Sequence, residues 1–116
     1  MQTYKLPKDH NFQFTVNKKQ VNKNKTLKTS ILYHKIEATV TSSLNLHQPA
    51  SSISFKSIEF DFIKNAFLND KLIIHNYIKK LSDSEVILHI TVSKKAEKER
   101  NIICKAVFGY NFLNGS

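Results

Sequence analysis

Apolar and polar side chains alternate in Phe12-Gln13-Phe14-Thr15-Val16, the period-two pattern of a half-buried strand. A polar, basic stretch from Asn17 to Lys25 follows, and then the period changes. Leu32, Ile36, Val40 and Leu44 recur every four residues, with Leu27, Ile31 and Ala38 beside them. That spacing predicts a helix of about five turns from Thr26 to Leu46 with one apolar stripe. Its β-branched residues Thr39, Val40 and Thr41 are weak helix formers, so packing against a large surface has to hold it.

Beyond Pro49 the pattern returns to period two. Ser52 to Phe62 alternates through Ile53 and Phe55, then through Ile58, Phe60 and Phe62, and the change of phase at Lys56-Ser57 predicts a bulge. Asn69-Asp70 marks a turn. Lys71 to Lys80 and Glu85 to Lys94 read as strands joined at Ser82-Asp83-Ser84. Lys94 to Asn101 reads as charged and exposed, and Ile102 to Phe112 as the last strand. The order implies a single α+β domain over residues 1–116, an antiparallel sheet of about five strands wrapped round one long central helix. Exposed sheet edges in such a domain predict a homodimer or tetramer.

Composition narrows the class. Hydrophobic residues make up 41 % of the 116 and charged residues 23 %, too apolar for a disordered chain. Apolar runs reach only three residues, far short of a membrane span, and the N-terminus shows no apolar leader behind its charge. One cysteine, Cys104, allows no internal disulfide and fits a reducing, cytoplasmic setting. The net charge is +9, with Lys supplying 17 of the 18 basic residues. This favours an anionic partner, or reflects only a Lys-, Asn- and Ile-rich composition. Nucleic acid ranks last among such partners, because its readers usually also rely on the Arg fork and on exposed aromatic side chains between the basic ones.

Two segments, Asn22 to Ala38 and Asp61 to Leu72, together resemble the acyl-coenzyme A hydrolase branch of the hotdog-fold superfamily. The first runs from Asn22 through Lys25-Thr26-Leu27-Lys28-Thr29-Ser30 to Ile36-Glu37-Ala38. It is similar to the branch pattern Asn-x-x-Gly-Thr-Leu-x-Gly-Gly followed by an apolar turn and Ile-Asp/Glu-x-Ala, with the Asn-to-acid spacing of fifteen kept. The second, Asp61-Phe62-Ile63-Lys64-Asn65-Ala66-Phe67-Leu68-Asn69-Asp70-Lys71-Leu72, is similar to Asp-Phe-Leu-Arg-Pro-Val-x-x-Gly-Asp-x-Leu. The departures are specific. The family's three glycines fall on Lys25, Thr29 and Ser30, and its turn glycine on Asn69. The acid of the hydroxybenzoyl-coenzyme A branch falls on Gln20, and the histidine of the dehydratase branch on Lys23.

The resemblance implies a hydrolase for acyl-coenzyme A or acyl-carrier-protein thioesters, with coenzyme A or phosphopantetheine as part of the substrate and no separate cofactor. A carboxylate half-buried on an apolar helix has a raised pKa, so Glu37 is the candidate general base; the alternative is a solvated residue paired with a lysine such as Lys35. Backbone N–H groups of Thr29 and Ser30 at the helix start would face the oxyanion. By resemblance, Asn22 would position water or carbonyl from the facing subunit. Phe60, Phe62 and Tyr77 would line the acyl tunnel beside the helix stripe. Lys64 and Lys80 at strand ends, with Ser82 and Ser84 in the family's nucleotide-side turn, are the candidate phosphate contacts; plain solubilising surface is the alternative reading of the lysines, including Lys18, Lys19, Lys23, Lys25 and Lys28.

His75 and His89 flank the Ser82 turn symmetrically and are expected to face each other as a cross-strand aromatic pair, without the companions a metal needs. His34, three residues before Glu37, either tunes that carboxylate or is exposed. Cys104 reads as core. Two other functional readings stay open: a non-catalytic acyl-thioester-binding or assembly subunit, motivated by the missing glycines, and a 3-hydroxyacyl-thioester dehydratase, against which Lys23 counts.

Overall fold

A computed structural model of the chain describes residues 10–45, 53–95 and 101–113. Strand β1 (His10–Thr15) leads through a short 3-10 turn (Lys18–Gln20) to helix α1 (Thr29–Asn45). Strands β2 (Ile53–Phe62), β3 (Lys71–Leu81), β4 (Glu85–Lys94) and β5 (Asn101–Phe112) follow. They form one sheet in the order β1-β3-β4-β5-β2, antiparallel at every pair, so β1 and β2 are its two edges. The α+β layout expected from the sequence is therefore the observed one. The charged segment before β5 lies largely at residues 96–100, outside the described residues.

The helix stripe works as its spacing demands. Leu32, Ile36 and Val40 are fully buried and Leu44 nearly so, all against sheet residues that include Leu72, Ile74, Leu88, Ile90 and Phe108. Each such side chain contributes about 1.5–3 kcal/mol by leaving water. Burial of this stripe offsets the weak propensity of the β-branched turn; Thr39 also donates its hydroxyl to the Lys35 carbonyl, 2.8 Å away. Two details differ from the sequence expectation. The helix begins at Thr29 rather than Thr26, because Thr26 and Leu27 are engaged in bridges to Phe67 and Val21. Ala38 is exposed beside Glu37 instead of joining the stripe.

Among the described residues, one polar side chain of the strands is buried. Asn76 on β3 is 2 % exposed and donates to the Ser43 hydroxyl of α1 at 2.7 Å. The bulge expected at Lys56-Ser57 is present, as the pairing of β2 with β5 slips between Phe55 and Ser57. A second slip lies between Ile78 and Lys80 in β3.

The connections that surround the helix start are stitched by backbone. Val16 N–H donates to the Asp70 carbonyl and Asn69 N–H to the Val16 carbonyl, while Leu27 and Ala66 are joined at 2.8 Å. Asn22 to Lys25 make a tight turn closed by Lys25 N–H to the Asn22 carbonyl at 2.9 Å. Lys25 then takes φ 66° and Asn69 takes φ 73°. Both are left-handed conformations that glycine adopts without steric cost. Both positions fall on glycines of the resembled pattern, and a glycine would hold this backbone here without the clash of a Cβ.

Candidate functional site

Helix α1 presents Glu37 on the flank of its buried stripe, one residue after Ile36. The carboxylate is exposed on the single chain, not half-buried as the sequence suggested. Its partner is Tyr33, one turn earlier, whose hydroxyl donates to Glu37 Oε2 at 3.3 Å. The Tyr33 ring lies against Phe60 of β2 with centroids 6.0 Å apart. Burial first, then the charge and hydrogen bond of Glu37, raise the Tyr33 pKa, so the phenol remains a donor at neutral pH.

Tyr110 of β5 extends this floor. Burial pushes its pKa up to about 12, with Glu37 and Tyr33 adding to the shift. Its ring stacks on Phe108 at 6.4 Å and meets Phe55 edge-on at 5.8 Å. Phe55, on the edge strand β2, is 57 % exposed. The result is an aromatic floor running from Tyr33 and Phe60 to Tyr110 and Phe55, with one carboxylate at its border. Tyr33 and Tyr110 were not singled out from the sequence. The four-residue spacing of Tyr33 and Glu37 was the readable signal for the first. Nothing in the sequence marked the second.

Thr29 and Ser30 open the helix and are exposed. The first helical amides have no intrahelical acceptor, and bonding to the Lys28 carbonyl begins only with Ile31 and Leu32. Seven residues separate Ser30 from Glu37, about 10 Å along the axis at 1.5 Å per residue. One chain therefore does not bring the carboxylate and these amides to the same carbonyl. Asn22 builds the preceding turn: its Oδ1 accepts from the Thr26 hydroxyl at 2.7 Å and from Thr26 N–H at 3.2 Å. Gln20 completes a capping box with Asn17, accepting from Asn17 N–H at 3.0 Å. His34 is exposed and touches the Tyr33 ring edge-on.

The candidate phosphate contacts divide between two ends of the sheet. Ser82 and Ser84 lie in the β3–β4 turn, where Ser82 Oγ accepts from Ser84 N–H and Glu85 N–H at 3.3 and 3.2 Å. Lys80 is paired to Glu85 at 3.0 Å. Ser84 meets the Ile53 end of the β2–β5 pair through Phe112 N–H, two positions beyond Tyr110, so the turn lies on the Tyr110 side. Lys64 follows the other end of β2, a strand length of about 30 Å away.

Tyr77 does not line a tunnel beside α1: it alternates with the inward Asn76 and Ile78 and emerges on the outer face, 37 % exposed. The expected His75–His89 pairing is also corrected. His89 is opposite Tyr77 and His75 opposite Thr91, because the pairing is displaced from the symmetric register. No group of three or more metal-binding side chains occurs among the described residues. Cys104 is fully buried in the core, as read from its neighbours. No helix among the described residues is long and apolar enough to cross a membrane.

No family model matches the chain. No curated protein matches it either. Solved structures do resemble it. A variant of an acyl-CoA hydrolase from Staphylococcus aureus superposes with TM-score 0.79 at 14 % identity, over 92 % of this chain and 67 % of its own. A variant 4-hydroxybenzoyl-CoA thioesterase complexed with 4-hydroxybenzoyl-CoA gives 0.76 at 14 % identity, over 94 % and 87 %. The Escherichia coli PaaI protein from the phenylacetic acid degradation operon gives 0.77 at 12 % identity, over 93 % and 75 %. Sequence order, strand order and these superpositions agree on one architecture: the chain has the hotdog fold.

Proposed function

We propose that the protein hydrolyses acyl thioesters of coenzyme A or of an acyl carrier protein. The observation that carries this reading is the Glu37 carboxylate, held by Tyr33 at the border of an aromatic floor beside the edge strand β2. The fold shared with acyl-CoA hydrolases and thioesterases supports it. Glu37 takes a proton from water, whose oxygen adds to the thioester carbonyl carbon. The N–H groups of Thr29 and Ser30 hold the oxyanion. The C–S bond then breaks, and the sulfur leaves with the proton that Glu37 returns.

The separation of about 10 Å between Ser30 and Glu37 along the helix supports a site shared by two copies, the carboxylate from one and the amides from the other. The unpaired β2 edge and the exposed Phe55 ring are the surfaces such a homodimer would cover. Asn22 keeps its Nδ2 group for the bound ligand, and Lys64 of one copy would join the turn of the other in holding phosphates. A second reading, a subunit that binds acyl thioesters without turnover, has one observation in its favour. Gln20, where the hydroxybenzoyl branch has its acid, is committed to a capping box.

The test is thiol release from short, medium, long-chain and aromatic acyl-CoA, with an acyl carrier protein thioester in parallel. Hydrolysis of any class supports the enzyme reading, and the preferred class and carrier name the substrate. Binding without thiol release on every substrate would replace it with the second reading.

A further inference from the structure

The sheet face turned away from α1 holds a groove of about 560 Å³ that takes no part in the thioester site. Its position follows from strand parity. Asn11, His75, Thr91 and Lys105 form one row across β1, β3, β4 and β5, and Tyr77 with His89 forms the next. Ile73 and Ile102 give the groove an apolar end. A solvated sheet face ordinarily scatters charges of both signs; among the described residues this lining has ring donors, the hydroxyls of Thr91 and Ser93, an amide and one ammonium, and no carboxylate.

The rings are already organised. Tyr77 lies 5.8 Å from His75 and 5.3 Å from His89, tilted against the first and edge-on to the second. The Tyr77 hydroxyl and His89 Nδ1 share a hydrogen bond of 2.5 Å. Whichever atom donates, the pair keeps one donor for a ligand: His89 Nε2–H if the phenol gives its proton, the phenol O–H if Nδ1 gives it. The charges that act on the His89 ring are those of Lys79 and Lys105; with burial as the larger cause, they hold its pKa below the ordinary histidine value. Asp61 is opposite Lys105 on β2, outside the groove lining.

We propose that this groove binds a small anion carrying a flat ring, the chemistry shared by aromatic carboxylates and nucleotides. Its volume lies in the range of about 300–1,000 Å³ usual for small-molecule sites. The ring stacks on the imidazole and phenol surfaces, and the anionic group meets Lys105 and the donor of the Tyr77–His89 pair.

The probes are adenosine monophosphate and benzoate, with inorganic phosphate as the ring-free comparison, followed through the His75 and His89 imidazole resonances of the full chain. The proposal expects a saturable shift with at least one ring-bearing probe, weaker binding of inorganic phosphate, and at least a tenfold loss of affinity in Lys105→Ala. Tyr77→Leu should weaken the same probe while leaving the melting temperature within a few degrees. Lys64→Ala, which alters the proposed thioester rim instead, should leave binding unchanged. Absence of saturable binding by both ring-bearing probes would overturn the proposal. So would binding that survives Lys105→Ala, binding lost in Lys64→Ala, or phosphate binding as tightly as the ring-bearing anions. A fall in molecular mass in Lys105→Ala would also overturn it, because a second copy would then occupy the face.

Discussion

Lys25 is the residue whose replacement tests the fold argument most sharply. Its φ of 66° places a long side chain in a left-handed conformation, at the end of a turn closed by its own N–H to the Asn22 carbonyl. Its carbonyl accepts from Leu68 N–H at 3.0 Å, so the loop cannot relax without losing a contact between connections. An L-residue in this region costs roughly 1–2 kcal/mol through the clash of Cβ with the following carbonyl. Lys25→Gly removes that cost and adds about 0.5–1 kcal/mol of unfolded-chain entropy. The balance is a stabilisation of about 0.5–1 kcal/mol, a rise in Tm of roughly 2–4 °C for a domain of this size. The assay is thermal unfolding followed by circular dichroism, with Lys23→Gly as the comparison. That variant makes the same charge change in the same turn, where the backbone is not left-handed, and should lower Tm. Equal effects of the two glycines, or a lower Tm for Lys25→Gly, would refute the reasoning. Asn69→Gly should gain less, since Asn tolerates this region better than Lys.

Further outcomes follow from particular contacts. Gly109 is opposite Ser57 at the β2 bulge, and a Cβ there would stand 2.7 Å from the Ser57 hydroxyl. Gly109→Ala should therefore cost about 1 kcal/mol or more in denaturant unfolding, and Ser57→Ala in the same chain should restore most of it. Burial, with a smaller contribution from Asp61, pushes the Cys104 thiol up to about 12. Iodoacetamide should leave it unlabelled in the folded protein at pH 8 and label it in guanidinium. Because the folded pKa is the higher one, this contribution to stability is complete below about 8.5 and is lost as pH climbs from there towards the folded value. Tyr33→Phe should lower kcat several-fold in the thiol-release assay, with Tm changed by no more than a few degrees, because only the hydroxyl beside Glu37 is lost.

The strands, their order along the chain and the bulge were legible because each depends on local alternation or its interruption. The helix stripe was legible for the same reason, as Leu32, Ile36, Val40 and Leu44 have to face one surface. The helix start was not: Thr26 and Leu27 are drawn into bridges by Phe67 and Val21, residues far from the helical pattern. The face occupied by Tyr77 was hidden because β3 carries isoleucine on both sides and directs Asn76 inward to Ser43. Leu72, Ile74 and Ile78 mark the buried parity, but the polar Asn76 between them breaks its apolar run. The resemblance located Glu37 and the glycine-replacing positions, but the aromatic floor under the carboxylate joins α1 to β2 and β5. That meeting depends on how the helix crosses the sheet.

The central claim is that Glu37 activates water for thioester cleavage, and turnover of the preferred acyl thioester by Glu37→Ala tests it most directly. The carboxylate is exposed and makes no contact that the core requires, so the variant should fold and assemble like the parent chain. The account predicts a fall in kcat of about 10²–10⁴-fold, the range for a positioned general base, with substrate still bound. A folded Glu37→Ala protein that turns over at the parent rate would contradict it.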